Sequence, residues 1–166
     1  MNLHPQRAFT LVELMITLAL LAILASVAVP AFAELIARNR QLALQHEVLN
    51  ALNFARAYAA RNNTRVNFCA SSNGTTCQND WSTGWIIRLE ADGRLLRQGQ
   101  PGQGNFLAWE GGIARSITFH GNGTSNNGSF YQCHAQQMTW LILISRQGRA
   151  RIGNTSDQQT RSHYCS

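Results

Sequence analysis

FTLVELMITLALLAILASVAVPAF, running from Phe9 to Phe32, carries a single charge, Glu13, and none at all from Leu14 to Val29. At ~1.5 Å per residue, a helix of this length spans the ~30 Å hydrocarbon core of a bilayer. Leu, Ala, Ile, Met and Val dominate the run and no glycine interrupts it, so a transmembrane helix is expected. Thr10, Thr17 and Ser26 are expected to bond back to carbonyls one turn earlier. Glu13 does not suit an ordinary anchor. A carboxylate deep in a membrane costs on the order of 2.5–3.5 kcal/mol on insertion scales, so it is normally kept for a partner.

A short polar leader, MNLHPQRA, precedes the run. A secretory signal would place its small-residue cleavage site after the apolar stretch, and none is obvious beyond Phe32. Here a small residue, Ala8, stands before it. Basic leader, small residue, then Phe-Thr-Leu-Val-Glu-Leu resembles the class III signal of type IV prepilins and pseudopilins, where the usual residue before the cut is Gly. The resemblance implies that prepilin peptidase cuts between Ala8 and Phe9 and that Phe9 becomes N-methylated. Glu13 then becomes the fifth residue of the mature chain. An ammonium at Phe9 and the Glu13 carboxylate of a neighbouring helix would each remove the other's desolvation penalty. The partners implied are other major and minor pilins, the peptidase and the bacterial inner membrane. The head would lie in the periplasm and then in the assembled pilus.

All 14 basic residues are Arg; removing Arg7 with the leader leaves 13 against 8 acids. That excess is compatible with anionic partners without demanding them. Cys69, Cys77, Cys133 and Cys165 all follow the membrane run, and an even count beyond a membrane argues for two disulfides. Cys69 and Cys77 bracket the loop ASSNGTT, and Cys133 with Cys165 would tether the tail. That local pairing is favoured, with the two other pairings left open. Zinc held by these cysteines with His120, His134 or His163 ranks lower, because no CxxC or HxxxH spacing occurs. No motif recruits His46, His120, His134 or His163 to a catalytic triad, so neither an active site nor a cofactor is expected.

Pro30 removes a backbone donor and is expected to loosen the helix near Ser26. In the pilin family a proline at the matching place lies where the helix can unwind during assembly. The helix then resumes to about Asn62, with Leu35, Leu42, Leu49 and Leu52 as its apolar stripe and Val48, Ala55 and Ala59 beside it. From membrane to head this makes one helix of roughly 80 Å. Strands are expected near Arg65–Ala70, Gly84–Glu90, Arg94–Gln98, Ser116–His120, Ser129–His134, Thr139–Ser145 and Arg149–Gly153. Breaks fall at Asp92-Gly93, Gly99–Gly104, Gly121–Gly128 and Gln147-Gly148. Trp85 and Trp140, in apolar strands, belong to the core, whereas the exposure of Trp81 and Trp109 is open.

Asp80-Trp81-Ser82-Thr83-Gly84-Trp85, then Asp92-Gly93, Ile117-Thr118-Phe119 and Gly148-Arg149-Ala150-Arg151 resemble the GspH/FimT-type pilins. The resemblance implies an α+β type IV pilin fold, a long N-terminal helix packed on an antiparallel β-sheet head. It implies a leader at 1–8, a transmembrane helix at 9–33 and a head at 34–166. A non-enzymatic minor pilin of a type IV pilus is expected, with a structural type II secretion pseudopilin as the alternative.

The last expectation concerns Arg146, Arg149 and Arg151. With Gln147-Gly148 as a two-residue turn, Arg146 and Arg149 would sit opposite each other and Arg151 would follow on the same face. No acid close in sequence offsets them. A solvated hairpin tip explains such a cluster, and so does a waiting anion. Gly-Arg-x-Arg resembles the DNA-binding motif of FimT-type pilins, which implies DNA binding without sequence specificity, in natural transformation.

Overall fold

The computed structural model describes residues 10–102, 106–111 and 116–165. In chain order they form α1 (Leu11–Arg61), β1 (Val66–Ala70), β2 (Trp85–Leu89), β3 (Leu95–Gly99), β4 (Ala108–Glu110) and β5 (Ser116–Phe119). Then come β6 (Gly128–His134), β7 (Gln137–Ile144), β8 (Ala150–Ile152), α2 (Thr155–Thr160) and a 3-10 turn (Ser162–Cys165). Contacts divide the chain into two compact units, one ending at Asn39 and one beginning at Arg40.

From Leu11 the first unit is helix, and every described residue in it is exposed. Thr17 and Ser26 donate to the carbonyls of Leu14 and Ile23, at 2.9 and 2.7 Å. The Thr10 hydroxyl accepts the Glu13 N–H at 3.2 Å, satisfying an orphan donor of the helix start, and the carbonyls one turn before Thr10 lie outside the described residues. Pro30 lies inside α1, which runs through it without a break. The ring deletes one ladder donor, and the turns on either side carry the helix across.

In the second unit α1 buries Leu44, Val48, Ala51, Leu52, Ala55 and Ala59. This corrects the expected stripe: Leu35 and Leu42 are about half exposed, at 53% and 51%. A strict seven-residue spacing drifts by about 20° per heptad around a straight helix, so it does not stay on one face. Val48, Leu52, Ala55 and Ala59 are buried as expected, and Leu44 and Ala51 join them. Asn63, at φ 47°, ends α1, with Thr64 N–H reaching Ala59 O at 3.1 Å in a Schellman-type cap.

The strands form two antiparallel four-stranded sheets, ordered β3-β2-β1-β5 and β4-β6-β7-β8. Asn126 links them: its side chain accepts Thr118 N–H at 2.8 Å and donates to Ser116 O at 3.0 Å, just before β6. Between sheets and helix lies an aromatic cluster of Phe68, Trp81, Trp85, Trp109 and Phe130. Its neighbouring rings are 4.7–6.2 Å apart. Trp81 is buried and Trp109 half-buried, which closes the question left open by sequence. Strand β4 and the two C-terminal helical turns were not anticipated. Three residues are too few to show alternation, and the turns are specified by capping and tethering.

Cys69 is bonded to Cys77 and Cys133 to Cys165. Among the described residues, no cluster of three or more His, Cys, Asp or Glu is placed to hold a metal.

Candidate functional site

The β7–β8 hairpin is tighter on paper than in space. Ser145 N–H donates to Arg149 O at 3.0 Å and Gly148 N–H to Ser145 O at 2.8 Å, while Ile144 pairs with Ala150 and Leu143 with Arg151. The loop is therefore Arg146–Gly148, three residues with Gly148 left-handed at φ 71°. This corrects the expected two-residue turn. Ser145, not Arg146, stands opposite Arg149, and Arg146 lies in the loop, where its carbonyl accepts Ser125 N–H at 3.1 Å. Arg149 and Arg151 still share a face by the period of two.

Arg151 also has a partner that proximity in sequence did not suggest. Its guanidinium donates to both oxygens of Asp157, at 2.7 and 3.2 Å. The same carboxylate accepts Asn154 N–H at 3.0 Å, and Asn154 Oδ1 accepts Asp157 N–H at 2.9 Å, a capping box at the start of α2. Arg151, then the Asn154 amide, holds the Asp157 carboxyl down to about 2 from its ordinary 3.8. A depressed carboxylate stabilises the fold above its unfolded pKa, and that contribution fades as pH falls through the folded one. The tail around α2 is thus expected to be fully held above about pH 4 and to loosen progressively toward pH 2. NMR shifts of the Asn154 and Asp157 amides would follow it, and Asp157→Asn should abolish the transition.

Phe130, Ile142 and Ile144 turn into the core, so their neighbours face outward. One outward row crosses all four strands as Glu110, Ser129, Leu143 and Arg151. The next row contains Tyr131 and Leu141, and the C-terminal tail covers it: Tyr164 packs on Tyr131 at 5.0 Å, anchored by Cys165. Burial first, then Glu110 and Tyr164, push the Tyr131 phenol up, so it stays neutral. What the tail leaves uncovered is a groove of about 690 Å³, with Arg149, Arg151 and Arg161 along one side and Glu110 on the other. Arg161 and Tyr164 were missed by sequence reading. The Asn154-x-x-Asp157 pattern was a legible helix start that could have drawn attention to this tail.

The other sequence-predicted site lies on α1. Glu13 is exposed in its first turn, and among the described residues no cation lies within ion-pair distance of it. Ala8 and Phe9, the residues expected at the cleavage and methylation point, lie outside the described residues.

A long apolar N-terminal helix and a helix-on-sheet head define the type IV pilin class of fold. The family model for type II transport protein GspH matches residues 45–148, more than half of the chain, and this chain belongs to that family. The prokaryotic N-terminal methylation motif matches residues 3–29. Among solved structures, the chain is similar to the type IV minor pilin FimU of Pseudomonas aeruginosa PAO1. The TM-score is 0.58 at 22% identity, covering 72% of this chain and 92% of that one. It is also similar to the minor pseudopilin EpsH of the Vibrio cholerae type 2 secretion system, with TM-score 0.51, 11% identity and coverage of 69% and 96%. At these identities the likeness concerns the fold alone. Comparison with curated protein sequences yields no match. The chain thus joins a GspH-family head to a methylation-motif N-terminus and a helix long and apolar enough to cross a membrane.

Proposed function

We propose that this chain is a non-enzymatic minor pilin of a type IV pilus. The observation that carries this reading is α1 before Asn39, whose large apolar side chains are all about half exposed or more and which holds a carboxylate, Glu13, with no ion-pair partner among the described residues. Such a surface needs lipid or other helices, and such a carboxylate needs a cation. In this reading 1–8 is the leader, 9–33 crosses the inner membrane and 34–166 is periplasmic. Prepilin peptidase cuts between Ala8 and Phe9, Phe9 is methylated, and its ammonium meets Glu13 of a neighbour. Pro30 remains the place where assembly can loosen the helix. Intact mass of the membrane-extracted protein tests the scheme: a mature chain starting at methylated Phe9 is expected, and retention of the leader in a peptidase-competent cell overturns it. A type II secretion pseudopilin would share these features, and a deletion strain that keeps its pili but loses secretion would favour it.

A second reading is DNA binding for natural transformation. Arg146 and Arg149 are exposed, and among the described residues no carboxylate pairs with either. Arg151, engaged by Asp157, contributes less than the motif alone suggests. Two phosphate contacts correspond to a log–log salt slope near −1.8 on duplex DNA. Full-length protein in detergent, titrated with duplex, should bind with about that slope, and Arg149→Gln should weaken binding severalfold. Unchanged binding by that variant counts against the hairpin.

A further inference from the structure

We infer that the outer groove of the second sheet takes a single nucleic-acid strand, with Arg161 of the C-terminal tail as an additional phosphate-binding residue. This rests on the DNA reading and concerns which form of nucleic acid enters and what holds it.

The groove is polarised across its width. In the row Glu110–Ser129–Leu143–Arg151, three strand spacings of about 4.8 Å separate a carboxylate from a guanidinium by roughly 14 Å of backbone. The basic wall is reinforced by Arg149 from β8, which has no ion-pair partner among the described residues, and by Arg161 from the tail, whose guanidinium donates to Asp157 O and lies in the field of its carboxylate. The floor is mixed: Ser129 is buried and Leu143 half-buried. Tyr164 supplies an aromatic wall.

A polyanion entering this space is attracted on one side and repelled by Glu110 on the other. Its phosphates are therefore drawn to the arginines, and whatever it carries opposite them meets a carboxylate acceptor. A single strand suits that asymmetry, because its bases extend away from the backbone and an exocyclic amine can donate to Glu110. Cationic grooves with aromatic walls are how single strands are commonly held. A duplex hides its bases inside and presents phosphates on a convex surface, so it reaches Arg146 and Arg149 at the exposed hairpin without entering. Arg161 is half-buried inside the groove and is reached only by a chain that enters.

The tail keeps this wall in place through Cys165, Tyr164 and the Asp157 capping box. Arg161 is consequently a built part of the groove, held by the tail's own anchors and by its guanidinium, which donates to Asp157 O at 3.4 Å.

The test uses full-length protein in detergent, titrated by fluorescence anisotropy with labelled oligo(dC), oligo(dT) and a duplex of matched length. Wild type should bind oligo(dC) about tenfold tighter than duplex and about threefold tighter than oligo(dT), whose base lacks an amine donor. Arg161→Gln should weaken single-strand binding about fivefold while leaving duplex binding within about twofold, and Arg161→Lys should restore most of it. Glu110→Gln, which keeps an acceptor oxygen but removes the charge, should narrow the oligo(dC) preference. If Arg149→Gln weakens binding but Arg161→Gln and Glu110→Gln change nothing, the groove inference is overturned and the hairpin reading stands. If wild type binds neither single strand nor duplex, both fall together.

Discussion

Glu13→Ala is expected to leave membrane insertion intact and to remove the protein from filaments. Deleting a carboxylate from an apolar helix lowers the cost of insertion by on the order of 2.5–3.5 kcal/mol, so the variant should accumulate in the membrane as well as wild type does. The loss comes at assembly. There the proposed ammonium at Phe9 of a neighbour would enter an apolar bundle without a counter-charge, and breaking a buried pair by removing one partner costs about 3–5 kcal/mol. That magnitude corresponds to a reduction of more than about a hundredfold in equilibrium incorporation. Immunoblots of sheared pili against the membrane fraction measure it. Equal amounts of mutant and wild type in the sheared fraction would show that Glu13 is not the assembly contact.

Gly148→Ala should destabilise the head strongly for a single-methyl change. Gly148 sits at φ 71°, where a side chain costs roughly 1–2 kcal/mol. A Cβ there would also lie 2.1 Å from Gly123 O, a backbone atom that Arg56 Nε already holds at 3.2 Å. The oxygen cannot swing aside as a side chain would, so the hairpin loop must move, adding about 1–3 kcal/mol. A total near 2–5 kcal/mol corresponds to a melting temperature lower by about 10 °C, read by near-ultraviolet dichroism of the buried tryptophans. Gly93, also left-handed at φ 70° but with nothing within 4 Å of an added Cβ, is the control. Gly93→Ala should cost only the conformational part. A Gly148→Ala variant no less stable than Gly93→Ala would mean that the hairpin loop does not rest on the Gly121–Gly123 turn.

Much of this protein was readable because the signals are local. Sixteen consecutive uncharged residues from Leu14 to Val29 define an apolar helix without reference to anything they touch. Alternation and turn residues located seven of the eight strands, since a period of two belongs to each strand by itself. Asn62-Asn63 marked the helix end because asparagine tolerates the left-handed conformation that Asn63 adopts.

What sequence alone determined is therefore the kinds of element and their order, together with the N-terminal motif that places the chain among the pilins. Only the tertiary structure decided which faces and neighbours those elements acquire. The buried side of α1 kept Val48, Leu52, Ala55 and Ala59, lost Leu35 and Leu42 and gained Leu44 and Ala51, because a seven-residue spacing drifts off one face of a straight helix. One left-handed glycine turned a two-residue hairpin loop into three and removed Arg146 from the face opposite Arg149. Asp157 became the partner of Arg151, and Arg161 a wall of the groove, through a tail folded back by a disulfide spanning 32 residues. Periodicity is a property of neighbouring residues and survives in the sequence. Register, ion pairing and groove walls depend on contacts between distant segments, which form only when the chain has closed on itself.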